Sequence, residues 1–279
     1  MLWSRFVIAF TLVLLLGACS SEEKRDPELD TLSMVELYNK AQENISDGSY
    51  DLAIGKLDAL LSRFPFGNYA DSAELNLMYA HLKNGEPDVT VSLADRFIRL
   101  HPDHPQVDYA YYMRGLANYY SGYDLTTRFL PGSTFARDMG ATKASFDDFA
   151  KLVNQFPNSP YANDAHARMI YLRNTLAKHE VYIASYYVRR GTYVAALNRA
   201  KTVVDHYQET PSVAEALAIM TECYYRLGLT DLAENTKKIL IANYPDSPSL
   251  DKDGNYIGPN IENDDNRSWW NIISFGLFS

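Results

Sequence analysis

GSYDLAIGKLDALLSRFP, residues 48–65, reads as a helix bracketed by its own punctuation. Gly48 opens the run, Pro65 cannot continue it, and Ala53, Leu57, Leu60, Leu61 and Phe64 recur between them at helical spacing. The same glycine-to-proline interval returns at Gly85 and Pro102, Gly140 and Pro157, and Gly228 and Pro245, with a slightly longer one at Gly191 and Pro211. Each of these segments follows another helical run, at residues 34–45, 71–83, 107–120, 161–189 and 212–227, so the unit is a helical hairpin. One hairpin has too little apolar surface to offset the entropy of ordering itself; such units stack and share a continuous core.

In the first unit Leu37, Ala41, Gly48, Tyr50, Ala53, Leu57 and Pro65 resemble the signature positions of a tetratricopeptide repeat, with small residues where the two helices touch. The expected fold is all-α, a tetratricopeptide-repeat superhelix of about five hairpins, or about ten helices, over residues 33–245. Its fourth unit opens with apolar residues at helical spacing from Tyr161 through Leu172 and Leu176 to Tyr187, a helix long enough to act as a spine. Its fifth puts Lys237 where the pattern asks for an aromatic, and a terminal repeat is expected to deviate because one side lacks a neighbour. Residues 121–140 interrupt the third unit with a connection longer than usual, which suits a partner contact or packing over the array's edge equally.

The two ends of the chain read differently from the array. Residues 1–18 form a lipoprotein signal: Arg5, an apolar run over residues 6–16 that is too short to span a bilayer, then Leu16-Gly17-Ala18-Cys19. That ending resembles a bacterial lipobox, which makes Cys19 the lipidation site and the first mature residue. Each buried acyl methylene adds about 0.8 kcal/mol to such an anchor. Residues 19–32 are short, charged and helix-poor, a flexible lipidated tether. Cys223 has no disulfide partner if Cys19 carries lipid, and reads as a small core residue. After Pro245 the composition turns to Asp, Asn, Gly and Pro, so residues 246–267 read as a disordered linker. Residues 268–279 then form an apolar aromatic tail in which Trp269, Trp270, Phe275 and Phe278 suit a membrane interface, a partner groove or the protein's own concave face.

Composition excludes some functions. The 279 residues are 47% hydrophobic and carry a formal charge of −9. Loss of Arg5 with the signal makes the charge more negative, which disfavours nucleic acid bound by phosphate neutralisation. No GxSxG, HExxH, P-loop or dinucleotide fingerprint occurs, so no catalytic residue, cofactor or enzymatic activity is expected. His101 and His104 are the one close histidine pair, flank prolines and lack an evident third ligand, so no metal site is expected.

Three strings carry a narrower resemblance: Arg63-Phe64-Pro65-Phe66-Gly67-x-Tyr69, Asp95-Arg96-Phe97-Ile98-Arg99-Leu100-x-Pro102, and Asp108-Tyr109-x-x-Tyr112-Met113-Arg114-Gly115-Leu116. With the lipobox, they make the chain similar to the BamD (ComL-type) family of lipoproteins in the outer-membrane β-barrel assembly machinery. The resemblance implies a non-enzymatic scaffold on the periplasmic side of the outer membrane, held there by its N-terminal lipid. It implies BamA, other Bam lipoproteins and unfolded outer-membrane β-barrel proteins as partners. A carboxyl-terminal aromatic segment of such a client would meet Phe66, Tyr69, Tyr79, Tyr109 and Tyr112, with Arg96, Arg99 and Arg114 supplying charge-assisted bonds. Arg199 falls, by the same resemblance, on the surface that meets BamA. A peptidoglycan-associated lipoprotein of the same fold is the alternative, and a periplasmic enzyme would need a catalytic cluster the sequence does not display.

Overall fold

The computed structural model describes residues 29–67, 69–121 and 138–261. The signal, Cys19, most of the insertion and the tail with Trp269, Trp270, Phe275 and Phe278 lie outside the described residues. Among the described residues there are ten helices: α1 Met34–Ser46, α2 Tyr50–Arg63, α3 Ala70–Lys83, α4 Pro87–Leu100, α5 Val107–Ser121, α6 Gly140–Gln155, α7 Ala162–Arg189, α8 Tyr193–His206, α9 Ser212–Arg226 and α10 Thr230–Asn243. The fold is the all-α tetratricopeptide-repeat class expected. The chain divides into two compact units, one ending at Ala80 and the other beginning at His81.

In the first unit α1 packs against α2. A capping box starts α1: Ser33 Oγ accepts the Glu36 N–H at 3.3 Å, and Glu36 Oε2 accepts the Ser33 N–H at 2.8 Å. The tether is not loose up to this helix. Arg63 Nη1 donates to the carbonyls of Leu29 and Leu32, both at 2.7 Å, so residues 29–32 are held by a charge-assisted clasp from the end of α2.

The glycine of the motif closes the first helix of each pair; it does not open the second. Gly48 has φ +74° and donates its N–H to the Ile45 carbonyl while Ser49 N–H reaches back to Asn44, the paired bonds of a Schellman turn. The same pair of bonds recurs at Gly85, Gly191 and Gly228. Gly140 differs: it follows the insertion and is the first residue of α6. The second helices also end alike. Phe64, His101, Phe156, Tyr207 and Tyr244 all leave the helix with φ near −130°. Proline follows immediately in four of the five and forbids a further helical residue before it.

Counting from each motif glycine exposes the packing code. Five residues on stand Ala53, Thr90, Ser145, Ala196 and Ala233, all fully buried. Twelve residues on stand Leu60, Phe97, Leu152, Val203 and Leu240, also fully buried. Small residues in the first column let the paired helices approach, and bulky ones in the second fill the space beyond.

The second unit runs α4 to α10, each helix packed on the next, with the 28-residue α7 touching α6, α8 and α9. An apolar cluster joins Val181 and Ala184 of α7, Ala200 and Val203 of α8, Leu217, Ile219 and Cys223 of α9, and Leu240 of α10. The Cys223 thiol is pushed up to about 12 by burial, which makes it the core residue expected.

The reading of 246–267 as a disordered linker fails over its described part, residues 246–261. Ser247, Ser249 and Leu250 are buried, Leu250 bridges to Tyr256, and Tyr256 donates its hydroxyl hydrogen to the Ala218 carbonyl of α9 at 2.8 Å. Leu250 and Tyr256 join the cluster that also takes Ile241 of α10 and Tyr244 just past its end. Polar composition hid two apolar anchors. The segment closes the end of the repeat stack, a place where tetratricopeptide arrays need a cap.

Candidate functional site

In the first unit the aromatic corner separates into one exposed ring and two half-buried ones. Phe66 is 89% exposed. The Tyr69 ring lies 4.7 Å from that of Tyr38, whose hydroxyl accepts from Asn76 Nδ2 at 3.2 Å. Tyr79 meets Tyr50 edge to face at 6.2 Å. Phe66 is therefore the ring most open to a ligand, whereas Tyr69 and Tyr79 are half-buried and engaged with other tyrosines.

In the second unit the expected tyrosines form a seam between α5 and α7. Tyr161 stacks on Tyr112 with centroids 4.8 Å apart and planes 18° from parallel, and sits 5.4 Å from Tyr109. Tyr112 donates to Asp164 Oδ2 at 2.7 Å; the same oxygen accepts from Arg168 Nε at 2.6 Å, and the Arg168 guanidinium lies 5.0 Å over Tyr119. The Tyr112 hydroxyl is pushed up to about 12 by burial and by Asp164. Burial raises the Asp164 carboxyl, but hydrogen bonds from Arg168 and Tyr112 outweigh it and hold it below its usual 3.8. Sequence reasoning named Tyr109 and Tyr112 and passed over Asp164 and Arg168. It treated Tyr161 only as a helix start, although Phe156-Pro157-x-x-x-Tyr161 repeats the pattern Phe64-Pro65-x-x-x-Tyr69.

The three arginines part company. Arg96 and Arg99 sit one turn apart on α4 and are exposed. Arg114 is not a ligand-facing cation. Its side chain is 13% exposed, Nη1 is bonded to Asp95, and Nη2 lies 2.7 Å from Asp148, itself 8% exposed. Asn118 Nδ2 also donates to Asp148, at 2.9 Å. Burial works against the Arg114 charge, but Asp148 and Asp95 outweigh it and raise its pKa. A largely enclosed arginine already matched by two carboxylates is taken up by the packing of α4, α5 and α6, so the assignment of Arg114 to client binding is corrected here.

Arg199 of α8 has a carboxylate within the chain: Nη1 lies 3.1 Å from Glu180 Oε2 of α7. Its side chain remains 45% exposed. Arg173 with Glu209 and Lys178 with Glu215, both at charge-pair distance, lie on neighbouring turns of α7. Among the described residues no group of three or more His, Cys, Asp or Glu side chains is placed to hold a metal ion. No helix among them is long and apolar enough to cross a membrane.

Fold and surfaces together define a tetratricopeptide-repeat protein that presents aromatic seams and paired charges. The chain belongs to the YfiO family, described as outer membrane lipoprotein, whose profile matches residues 30–240. It is 37% identical over 249 residues to the outer membrane protein assembly factor BamD of Neisseria meningitidis, covering 88% of this chain and 93% of that one. It is 38% identical to the Vibrio cholerae protein of the same name, over 82% of this chain and 94% of that one. The Pasteurella multocida BamD is 41% identical, over 75% and 80%. Among solved structures it is similar to MamA, at a TM-score of 0.37 and 16% identity, covering 75% of this chain and 90% of that one.

Proposed function

We propose that the chain is a non-enzymatic scaffold of the outer-membrane β-barrel assembly machinery, lipid-anchored through Cys19 and facing the periplasm. It binds unfolded barrel clients and docks on BamA alongside the other Bam lipoproteins. The observation that carries this is similarity to curated outer-membrane protein assembly factors over nearly the whole array, at 37% identity and 88% coverage for the Neisseria protein. The surfaces suit it. An exposed aromatic, Phe66, and a tyrosine seam around Tyr109, Tyr112 and Tyr161 offer flat apolar contact, the tyrosines with polar tips, which favours extended aromatic-rich segments. Arg96 and Arg99 are the cations exposed enough to meet a carboxylate, and Arg199 can exchange its link to Glu180 for one to a partner.

The test is photo-crosslinking in cells of the full lipidated chain, with the probe placed singly at Phe66, Tyr109 and Arg199. BamA captured from Arg199, and barrel precursors captured from Phe66 or Tyr109, are the expected products. Peptidoglycan fragments at these positions, with neither protein captured, would replace this reading with that of a wall-associated lipoprotein.

A further inference from the structure

Arg63 is set apart from its counterparts by what it holds. It stands fifteen residues after the motif glycine, and the other pairs place Leu100, Gln155, His206 and Asn243 in that slot. The packing of the repeats therefore does not ask for a cation there. In the first pair Arg63 Nη1 donates to the carbonyls of both Leu29 and Leu32, and its guanidinium lies 4.9 Å from the centre of the Phe64 ring. The acceptors are backbone carbonyls, so the clasp selects a position along the chain and does not depend on the titration of an acidic side chain.

The first pair needs this because of how its chain enters. α3, α5, α7 and α9 are reached from the pair before, through a turn closed by a backbone bond three residues back: Ala70 N–H to Gly67, Val107 to His104, Ala162 to Ser159 and Val213 to Thr210. Among the described residues α1 has no pair before it. Its entry is held by the capping box of Ser33 and Glu36 and by Leu32 and the fully buried Leu37, which stand at the two positions of a hydrophobic staple. Both devices act within residues 32–37, and the Arg63 clasp reaches further back, to Leu29. Ten chain steps separate Cys19 from Leu29, a span of at most ~36 Å, against fourteen steps and ~50 Å to Ser33. The clasp thus withdraws four residues from the length available to a lipid on Cys19. It does so at the aromatic corner itself, because the exposed Phe66 follows Arg63 by three residues.

We propose that Arg63 is a positioning residue: by holding Leu29 and Leu32 it ends the tether at residue 29 and keeps the aromatic corner of the first pair close to the membrane. The inference rests on lipidation at Cys19.

The experiment measures energy transfer from a dye on Asp47→Cys, an exposed site in the turn after α1, to acceptor-labelled phosphatidylethanolamine, with the full lipidated chain in vesicles. Cys223 is buried and stays unlabelled. Arg63→Ala is expected to lower the transfer rate about 1.5-fold, as the span to the first held residue lengthens from ~36 to ~50 Å. Removing Glu22, Glu23, Lys24 and Arg25 takes away four residues and no net charge, and is expected to return Arg63→Ala to the native rate. Arg63→Lys is expected to show less than half of the loss, because both bonds come from one nitrogen, which an ammonium can copy. Unchanged transfer in Arg63→Ala overturns the proposal. So does a loss that the deletion fails to restore, which makes Arg63 a residue of the pair's own packing. Cys19→Ser separates the two readings: the native rate without the lipid overturns the anchor itself. A second measurement follows the clasp apart from the membrane. A nitroxide on Asp30→Cys is expected to be restrained in the native chain and at least threefold more mobile in Arg63→Ala, and equal mobility overturns the clasp.

Discussion

The third and fifth helix pairs share one register and fill it in opposite ways. Nine residues after the motif glycine, α6 places Phe149 and α10 places Lys237. Phe149 is fully buried, and a Cβ built on Gly115 would lie 2.6 Å from its ring. Beside it Asp148 is buried and paired with the largely enclosed Arg114. In the fifth pair Lys237 reaches out to Glu234 at 2.8 Å and the Tyr225 hydroxyl at 3.2 Å, while α9 behind it buries Val213, Leu217, Ile219 and Cys223. The columns at five and twelve residues fix the hairpin; the one at nine is free to carry what each place in the stack requires. The internal pair buries a ring against Gly115 and a carboxylate beside it, whereas the terminal pair fills the same slot with a partly exposed lysine.

The contrast can be broken most sharply at Arg114. Arg114→Ala leaves Asp148 buried without its cation and is expected to cost about 3–5 kcal/mol in chemical denaturation, with Arg114→Met combined with Asp148→Leu recovering most of the loss. Gly115→Ala comes next, at about 1–3 kcal/mol, because the buried Phe149 ring has nowhere to move. The same substitution at Gly55, which has open space around its Cβ direction within α2, is expected to stabilise by about 0.5–1 kcal/mol. Opposite signs for one substitution would separate tight helix approach from plain helix propensity. In the terminal pair, Lys237→Met is expected to change stability by less than about 1 kcal/mol, since a partly exposed pair contributes little.

A smaller effect separates the tyrosine seam from both. The folded pKa of Asp164 lies below its unfolded one, so its contribution is fully present above the unfolded value and is lost as pH falls through the folded value. The stability difference between the native chain and Asp164→Asn is therefore expected to be at most about 1 kcal/mol at pH 7, to shrink as pH falls below 3.8, and to vanish once it is below the lowered folded value. A difference that persists at low pH would mean that Asp164 acts through its shape and its uncharged hydrogen bonds and not through its charge; no difference at any pH would mean that Tyr112 is held by stacking alone.

Helix positions were legible because glycine, proline and apolar spacing act locally. The run expected at 107–120 is α5, Val107–Ser121, and the spine expected at 161–189 is α7. The role of the glycines was misplaced by two residues, since a Schellman turn and a helix start look alike in a string of letters. What failed depended on distant partners. Arg114 looks like an available cation beside Tyr112 until Asp148, on another helix, is brought against it. Leu250 and Tyr256 look like stray apolar residues in a polar run until α9 offers them a surface. The tyrosine seam was half legible: Tyr109 and Tyr112 were named from the α5 string, while Asp164 and Arg168 gain their meaning only when α7 lies alongside.

The hydroxyl of Tyr256 on the Ala218 carbonyl has a consequence for how such a chain can grow. Ile241 and Tyr244 stand thirteen and sixteen residues after Gly228, as Val204 and Tyr207 do after Gly191. In the earlier pair those residues join the cluster with α9, and in the last they share it with Leu250 and Tyr256. A duplicated hairpin could be spliced between existing ones and find both of its faces met. Appended after α10, it would first have to displace residues already seated there. Gene duplication can lengthen this protein from within, but its end is sealed.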